Sequence, residues 1–412
     1  MAITAAGAFI DLTPLRRSQV FRRLWIGRTF SGFGGQMTMV AVLFQVWQLT
    51  GSPLWTGAVG IARATPTVLI GLIGGSLADR LDRRRLVLIT TVGQFSVALL
   101  LAVQGFAGHL PVLGVLGLVA LQSCFTAAGA PAGRTFTIRL LATNQVAAGL
   151  ALTGISFQAS MLIGPAIAGL LIGWLGVGGC YLIDAVTFGA AFYGVFGLPT
   201  MRPEGEVART GIGGLLDGLR FVASTATIRG ALITDLAATV LAMPISLFPL
   251  INAERFADDP RTLGLFLTAI AVGGVLASIF SGTFTRYHRP GVAMITGSAA
   301  WGISLAAFGW AGDPWIGFGF LIIAGAADTM SVVCRGTMIQ LETPDALRGR
   351  VGAVEQMVGA SGPDLGNMRG GVVAGLSSGA TALVSGGLLC VIAVAAVGAG
   401  VPELRSFRIN RT

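Results

Sequence analysis

"GGSLADRLDRRRLVL", residues Gly74 to Leu88, decides how this chain is read. Between Asp79 and Arg85 it gathers two aspartates and four arginines within seven residues, with long apolar runs on both sides. Only 11% of the 412 residues are charged and 54% are hydrophobic. A cluster this dense in so apolar a chain marks a point where the polypeptide leaves hydrocarbon and meets water.

The rest of the chain fits that reading. Mean hydropathy is +0.80, too high for a soluble protein of this length. Apolar runs of about 18 residues or more, enough to cross a bilayer, recur near 24–49, 54–78, 86–107, 112–130, 146–173, 179–199, 229–251, 262–283, 291–311, 315–334, 351–376 and 380–400. The expected fold is an all-α membrane protein of twelve transmembrane helices.

All 27 basic residues are arginine. Without lysine there is neither a GxxxxGKS/T phosphate loop nor a Schiff-base lysine, and no loop is long enough for a nucleotide-binding domain, so ATP does not power this chain. Cys124, Cys180, Cys334 and Cys390 lie within or at the ends of apolar runs without CxxC spacing, and His109 and His288 fall in separate loops. No disulfide framework, metal site or cofactor is expected, and no nucleophile–base pair points to an enzyme.

Numbering the loops alternately puts the arginines of both tails and of the quoted stretch on one side, and only Arg255 and Arg261 on the other. Basic loops stay cytoplasmic, so both termini are expected there. The first arginines follow a short apolar piece, the wrong order for a cleaved signal peptide. The longest hydrophilic connection, Thr200 to Arg220, falls between spans six and seven and reads as a hinge. Sliding the second half over the first by 207 positions superimposes Pro53 on Pro260, Gly57 on Gly264 and Gly75 on Gly282, the mark of an internal repeat. The expected organisation is a cytoplasmic segment 1–23, a six-helix bundle 24–199, a linker 200–228, a second pseudo-symmetric six-helix bundle 229–400 and a tail 401–412. A substrate site is expected near the midplane between the halves.

Gly75-Ser-Leu-Ala-Asp79-Arg80-Leu-Asp-Arg83-Arg84-Arg85 resembles the G-x-L-x-D-R-x-x-R-R signature of the major facilitator superfamily, in the loop between spans two and three where that family carries it. "GPAIAG", with Gly164, Pro165 and Gly169, is similar to the Gly-Pro motif of the family's exporters. "FRRLWIGRTFSGFG", "SGTFTRYHRPGVAM", "ETPDALRGRVGAV" and "PELRSFR" resemble its siderophore-exporting (enterobactin) branch. The resemblance implies proton-driven export of a siderophore across the inner membrane by alternating access, with efflux of macrolides or other drugs as the alternative. It also implies a gating role for Gly75, Asp79, Arg80, Arg83 and Arg84, together with the Gly-Pro motif. Relatives often carry Gly-Asp in the first span, where this chain has Gly35-Gln36.

An ionisable side chain at the bilayer centre costs at least about 2.5 kcal/mol, so each requires a partner or a function. Arg63, Asp184, Asp235, Asp328, Asp364 and Arg369 lie inside candidate spans. Arg63 falls near a midplane and has two readings: an ion pair with Asp235 or Asp328, or a contact for an anionic group of the cargo. Asp235, Asp328 and Asp364 are the candidates for carrying the coupling proton. Asp184, near a span end, reads as a capped or interface-level carboxylate. Asn367 and Arg369 are candidates for the cargo pathway, and Gln36 and Gln158 either join helices or face cargo. The expected partners are a small-molecule cargo, protons and the lipid bilayer, without nucleic acid, and a monomer is expected. The quoted stretch adds one mechanical expectation: Asp79 latches the cytoplasmic side by binding a helix N-terminus of the other half, Arg220 or Arg348.

Overall fold

The computed structural model describes residues 11–108, 110–202, 212–280 and 288–408, with the side chains of 72–80, 212 and 314 outside that description. His109, Gly282 and the side chains of Gly75, Asp79 and Arg80 therefore lie outside the described residues. The described backbone is helical, with short turns. In chain order the helices are α1 (Thr13–Arg17), α2 (Gln19–Thr50), α3 (Pro53–Arg80), α4 (Arg83–Ala107), α5 (Val112–Arg134), α6 (Phe136–Leu140), α7 (Thr143–Phe196), α8 (Ile212–Ser224), α9 (Ala226–Ala242), α10 (Phe248–Arg255), α11 (Pro260–Ile279), α12 (Pro290–Trp310), α13 (Pro314–Glu342), α14 (Arg348–Leu376), α15 (Gly379–Gly400) and α16 (Pro402–Ser406). Among the described residues, eight helices are long and apolar enough to cross a membrane, with α7 counted once and the segment Ala226–Arg255 counted as one.

Three of the expected runs are not separate, straight helices. Runs five and six join as α7, which is broken at Gly176, where φ is 69°; only glycine takes that backbone without strain. Run seven is interrupted at Met243–Leu247, where Pro244 ends α9 and a single 3-10 turn leads into α10. Backbone groups freed inside hydrocarbon must be satisfied by the protein itself. Ser246 N donates to Asn367 Oδ1 (3.0 Å), Ser246 Oγ donates to the Asn367 carbonyl (2.7 Å), and Thr56 Oγ1 donates to the Ser246 carbonyl (2.8 Å). The Arg369 guanidinium donates to the Leu241 carbonyl.

The linker contains more than a hinge. Within it α8 packs Leu215, Phe221 and Val222 against Ile228, Leu232, Ile339, Val351 and Val354, docking the connection onto α9, α13 and α14. Apolar side chains such as Ile89, Val186 and Ile392 stay exposed on the outer faces, where only lipid covers them without penalty.

The repeat is visible in the helix starts. Gln19, Pro53 and Arg83 open α2, α3 and α4, and 207 positions on Ala226, Pro260 and Pro290 open α9, α11 and α12. The halves meet through α3 against α14 and through α7 against α11. At both contacts a backbone carbonyl presses on a glycine. A Cβ on Gly371 would collide with the Pro53 carbonyl and one on Gly169 with that of Pro260; Gly57 meets the Asn367 carbonyl and Gly264 that of Pro165 in the same way. The superposition of Pro53–Gly57 on Pro260–Gly264 thus corresponds to a shared packing device, the close approach that small residues allow.

These contacts close the end of the molecule opposite the arginine-rich loops. There the turn between α10 and α11 runs through Ala257 and Asp258 at positive φ, and Gln48 Nε2 donates to Asp258 Oδ2 across the halves. In the second half Arg255 caps α12 by donating to the carbonyls of Phe308, Gly309 and Ala311, a favourable place for a cation.

Two outcomes follow for spin labels at Ser52 and Ser377, which flank the closed end. Gly371→Val is expected to move their separation to longer distances in pulsed-dipolar spectra, because the valine and the Pro53 carbonyl cannot share one place; an unchanged distribution would show that the contact does not hold this end shut. Burial pushes the Asp258 carboxyl above its ordinary value of about 3.9, the Gln48 hydrogen bond opposing this in part. A carboxyl with a raised pKa favours the closed form while protonated and loses that advantage as pH rises past about 3.9 and through the raised value. The closed population is therefore expected to fall with rising pH over that window, and Asp258→Asn is expected to flatten the dependence.

Candidate functional site

Between the halves lies a cavity of about 1460 Å³, reaching the arginine-rich end, where Arg83, Arg134 and Arg350 border it. It exceeds the roughly 300–1,000 Å³ of drug-sized pockets. Helices from both halves form its wall, and the chemistry of the two sides differs. The first half contributes Gln36, Arg63 and Gln158, and the second contributes Asp328, Asp364 and Asn367. Most of the remaining lining is apolar, including Met39, Phe157, Leu267 and Trp301.

Arg63 pairs with neither Asp235 nor Asp328. Its Nη1 lies 3.9 Å from Asp364 Oδ1, across the α3–α14 contact. Gly60 permits this pairing: its missing side chain lets α3 sit on the carbonyl of Asp364. At 3.9 Å the pair is loose, and the Arg63 side chain is 41% exposed against 10% for Asp364. The guanidinium therefore keeps donors free for another group in the cavity.

Asp235 and Asp328, both candidates for the coupling proton, differ in access to the cavity. Asp328 borders the cavity, whereas Asp235 lies behind it and forms an ion pair with Arg335. Arg335 Nε also lies 3.6 Å from Glu355 Oε1. Arg335 follows Asp328 by seven residues on α13, about 20° apart on the helix wheel, so both point the same way and Asp328 is within electrostatic reach of the pair. Two carboxylates thus pair with one guanidinium, and a third, Asp328, lies within its field. Sequence reading missed Arg335 because the tenth run was ended at Cys334, and it passed over Glu355, which lies within the eleventh run 351–376. The signal was present: apolar sequence continues past the arginine in "VVCRGTMIQL", and the i, i+7 spacing to Asp328 puts both on one face.

Other predicted residues have structural partners. Asn367 borders the cavity but its amide oxygen holds the Ser246 amide at the break in the seventh run. Arg369 points away from the cavity, toward Leu241 and Gly386. Its five-residue offset from Asp364 turns it to the other side of α14. Asp184 is not at an interface: it is fully buried between α2 and α7, accepting from Thr38 Oγ1 (2.6 Å) and Thr187 Oγ1 (3.4 Å) in space that Gly34 leaves open. Gly164 lies against the Cβ of Gln36, and Pro165 and Gly169 form the α7 side of the α7–α11 contact.

In the quoted stretch the docking work falls to Asp82. Its Oδ1 caps α4 at the Arg85 amide (3.0 Å) and its Oδ2 accepts from the Met201 amide (3.2 Å), while Arg84 lies over the Phe196 ring and donates to the Phe196 carbonyl. The side chain of Asp79 lies outside the described residues, so its latch is not tested by this; the arginines expected as its partners have other carboxylates beside them. Arg220 is 3.8 Å from Asp217, Arg348 is 2.8 Å from Asp345, and Arg350 joins α14 to α8 through Asp217 at 3.2 Å.

Residues 10–408 match the family described as transmembrane secretion effector. The enterobactin exporter EntS of Shigella flexneri is 27% identical over 403 residues, 97% of this chain and 96% of that protein. Its counterpart from Shigella boydii serotype 18 is 26% identical over the same shares. Among solved structures, the nucleoside transporter NupG superposes with a TM-score of 0.71 at 15% identity, over 94% of this chain and 98% of that one. A bacterial homologue of the iron transporter ferroportin, in an inward-facing state, gives 0.69 at 16%, over 94% and 99%. Identities this low establish the fold alone; the family match covers nearly the whole chain. The chain belongs to the transmembrane secretion effector family of the major facilitator superfamily, and is a multi-pass membrane transporter of small molecules, not an enzyme.

Proposed function

We propose that the chain exports an anionic organic molecule, a siderophore, across the inner membrane by proton-driven alternating access. The observation that carries this reading is the large cavity between the halves, with the half-exposed guanidinium of Arg63 in its wall. The names of the full-length relatives add support. In this reading twelve spans form two six-helix bundles, 24–199 and 229–400, joined by the cytoplasmic linker. Both termini are cytoplasmic, the chain acts as a monomer, and the cavity faces the cytoplasm.

Asp328, at the cavity wall, is the proton carrier, with Asp235, Arg335 and Glu355 behind it. Three carboxylates around one guanidinium carry surplus negative charge in a low dielectric, and a bound proton offsets it. Loss of that proton to the cytoplasm leaves Asp328 to compete with Asp235 for Arg335, and this competition links protonation to the packing of α9, α13 and α14. Arg63 meets the anionic cargo and gives up Asp364 as it does so.

The alternative is an exporter of uncharged or cationic drugs, favoured by the apolar lining and by Asp328 itself. A strain lacking the chain separates the two: loss of siderophore secretion supports the first, and gain of drug sensitivity without that loss supports the second.

In proteoliposomes, Arg63→Gln is expected to raise the KM for an anionic cargo about tenfold or more, the loss of one charge-assisted contact. Asp328→Asn is expected to abolish transport driven by a pH gradient while cargo exchange at equal pH continues. Gradient-driven transport that survives neutralisation of Asp235, Asp328 and Asp364 together would remove the coupling proposal.

A further inference from the structure

A second, smaller cavity of about 140 Å³ lies between α2, α6 and α7, and Phe157 borders both it and the large one. Its lining includes Arg28 and the hydroxyl residues Thr29, Ser156 and Ser160. The hydroxyl protons are already used within the helices. Thr29 Oγ1 donates to the Trp25 carbonyl (2.8 Å), Ser156 Oγ to that of Leu152 (3.1 Å) and Ser160 Oγ to that of Ser156 (2.9 Å). Trp25 Nε1 is likewise engaged with the Leu152 carbonyl (3.1 Å). The donors left to face this space are the Arg28 guanidinium and the Thr137 hydroxyl.

Arg28 lies nine residues into α2, about 13 Å along its axis, and is partly buried. Its guanidinium lies against Gly133, where a Cβ would crowd Nη2, with Cζ 5.7 Å from the centre of the Phe136 ring. Among the described residues no carboxylate pairs with it. A cation in such surroundings requires a counter-charge.

The repeat shows what the position asks for. Asp235 stands 207 positions after Arg28, the offset between the starts of α2 and α9. Arg335 stands 202 positions after Gly133, the offset between the starts of α5 and α13. In the second half these two positions form the Asp235–Arg335 ion pair. In the first half the arginine stands on the other helix, and the place of its partner is held by Gly133, whose missing side chain leaves room for the Arg28 guanidinium.

We propose that the small cavity is an oxyanion site, in which Arg28 binds a carboxylate or phosphate group supplied by a ligand. The site stands whether or not the cargo is a siderophore. The group comes either from a soluble anion reaching it past Phe157 or from a phospholipid headgroup.

The test uses the full-length chain in phosphatidylcholine nanodiscs, titrated with inorganic phosphate and with benzoate at constant ionic strength, with thermal unfolding as the readout. The wild type is expected to gain stability saturably with at least one probe. Arg28→Gln is expected to weaken the apparent affinity about tenfold or more. Gly133→Asp supplies an internal counter-ion, and the flexible end of Arg28 can move to admit it; this variant is expected to match or exceed wild-type stability without probe and to respond to neither. Nanodiscs containing phosphatidylglycerol separate the sources: a headgroup in the site removes the response there, and a soluble anion leaves it. No saturable response in the wild type, or a full response in Arg28→Gln, overturns the proposal.

Discussion

Two helix backbones can touch inside hydrocarbon only where one of them carries no side chain, and the architecture of this transporter depends on that constraint. Gly371 and Gly57 on one side, Gly169 and Gly264 on the other, receive carbonyl oxygens from the opposite half. Because these contacts cluster toward one end, the halves diverge toward the other, and the cavity is the space that divergence leaves. The same close approach carries α3 onto the Asp364 carbonyl at Gly60 and so brings Arg63 within reach of the Asp364 carboxylate. Helix packing thereby fixes the electrostatics of the cavity wall.

The charges follow a second constraint, that nothing ionised is left in hydrocarbon without compensation. The second half meets it internally, with Arg335 between Asp235 and Glu355 and with Asp328 toward the cavity. The first half meets it with hydroxyls around Asp184, while Arg28 has an aromatic face beside it and, among the described residues, no carboxylate. This asymmetry between pseudo-equivalent halves gives the two walls different work, with Asp328 and Asp364 on the second-half wall and Arg63, Arg83 and Arg134 on the first. Polar residues at the break in α9–α10 serve the backbone instead: Asn367 and Arg369 satisfy groups that Pro244 leaves unpaired.

Much of the architecture was legible because its signals are local or periodic. Apolar run length gave the helices, the 207-residue offset gave matched helix starts, and the Pro–Gly spacing marked positions that prove to be contacts. The site was less legible. Arg63 and Asp328 were found because an isolated charge in an apolar run is conspicuous, but the partner of Arg63 lies about 300 residues away and was assigned to the wrong helices. Arg335 was read as a span boundary, although α13 continues to Glu342 around it. Asp184 was placed at an interface from its position along the run, since burial depends on the neighbouring helix and not on depth alone.

What the sequence by itself determined, then, is an all-helical membrane chain, its family and the residues whose chemistry is out of place in hydrocarbon. Hydropathy and glycine–proline spacing encode these directly. Which charge meets which was decided only by tertiary structure, because an ion pair across helices depends on crossing geometry and backbone separation, both set by the small residues at the contacts. The opening stretch shows the division. Its arginines identified a loop at the membrane surface, but only the folded chain assigned Asp82 to the Arg85 and Met201 amides and occupied Arg220 and Arg348 with other aspartates.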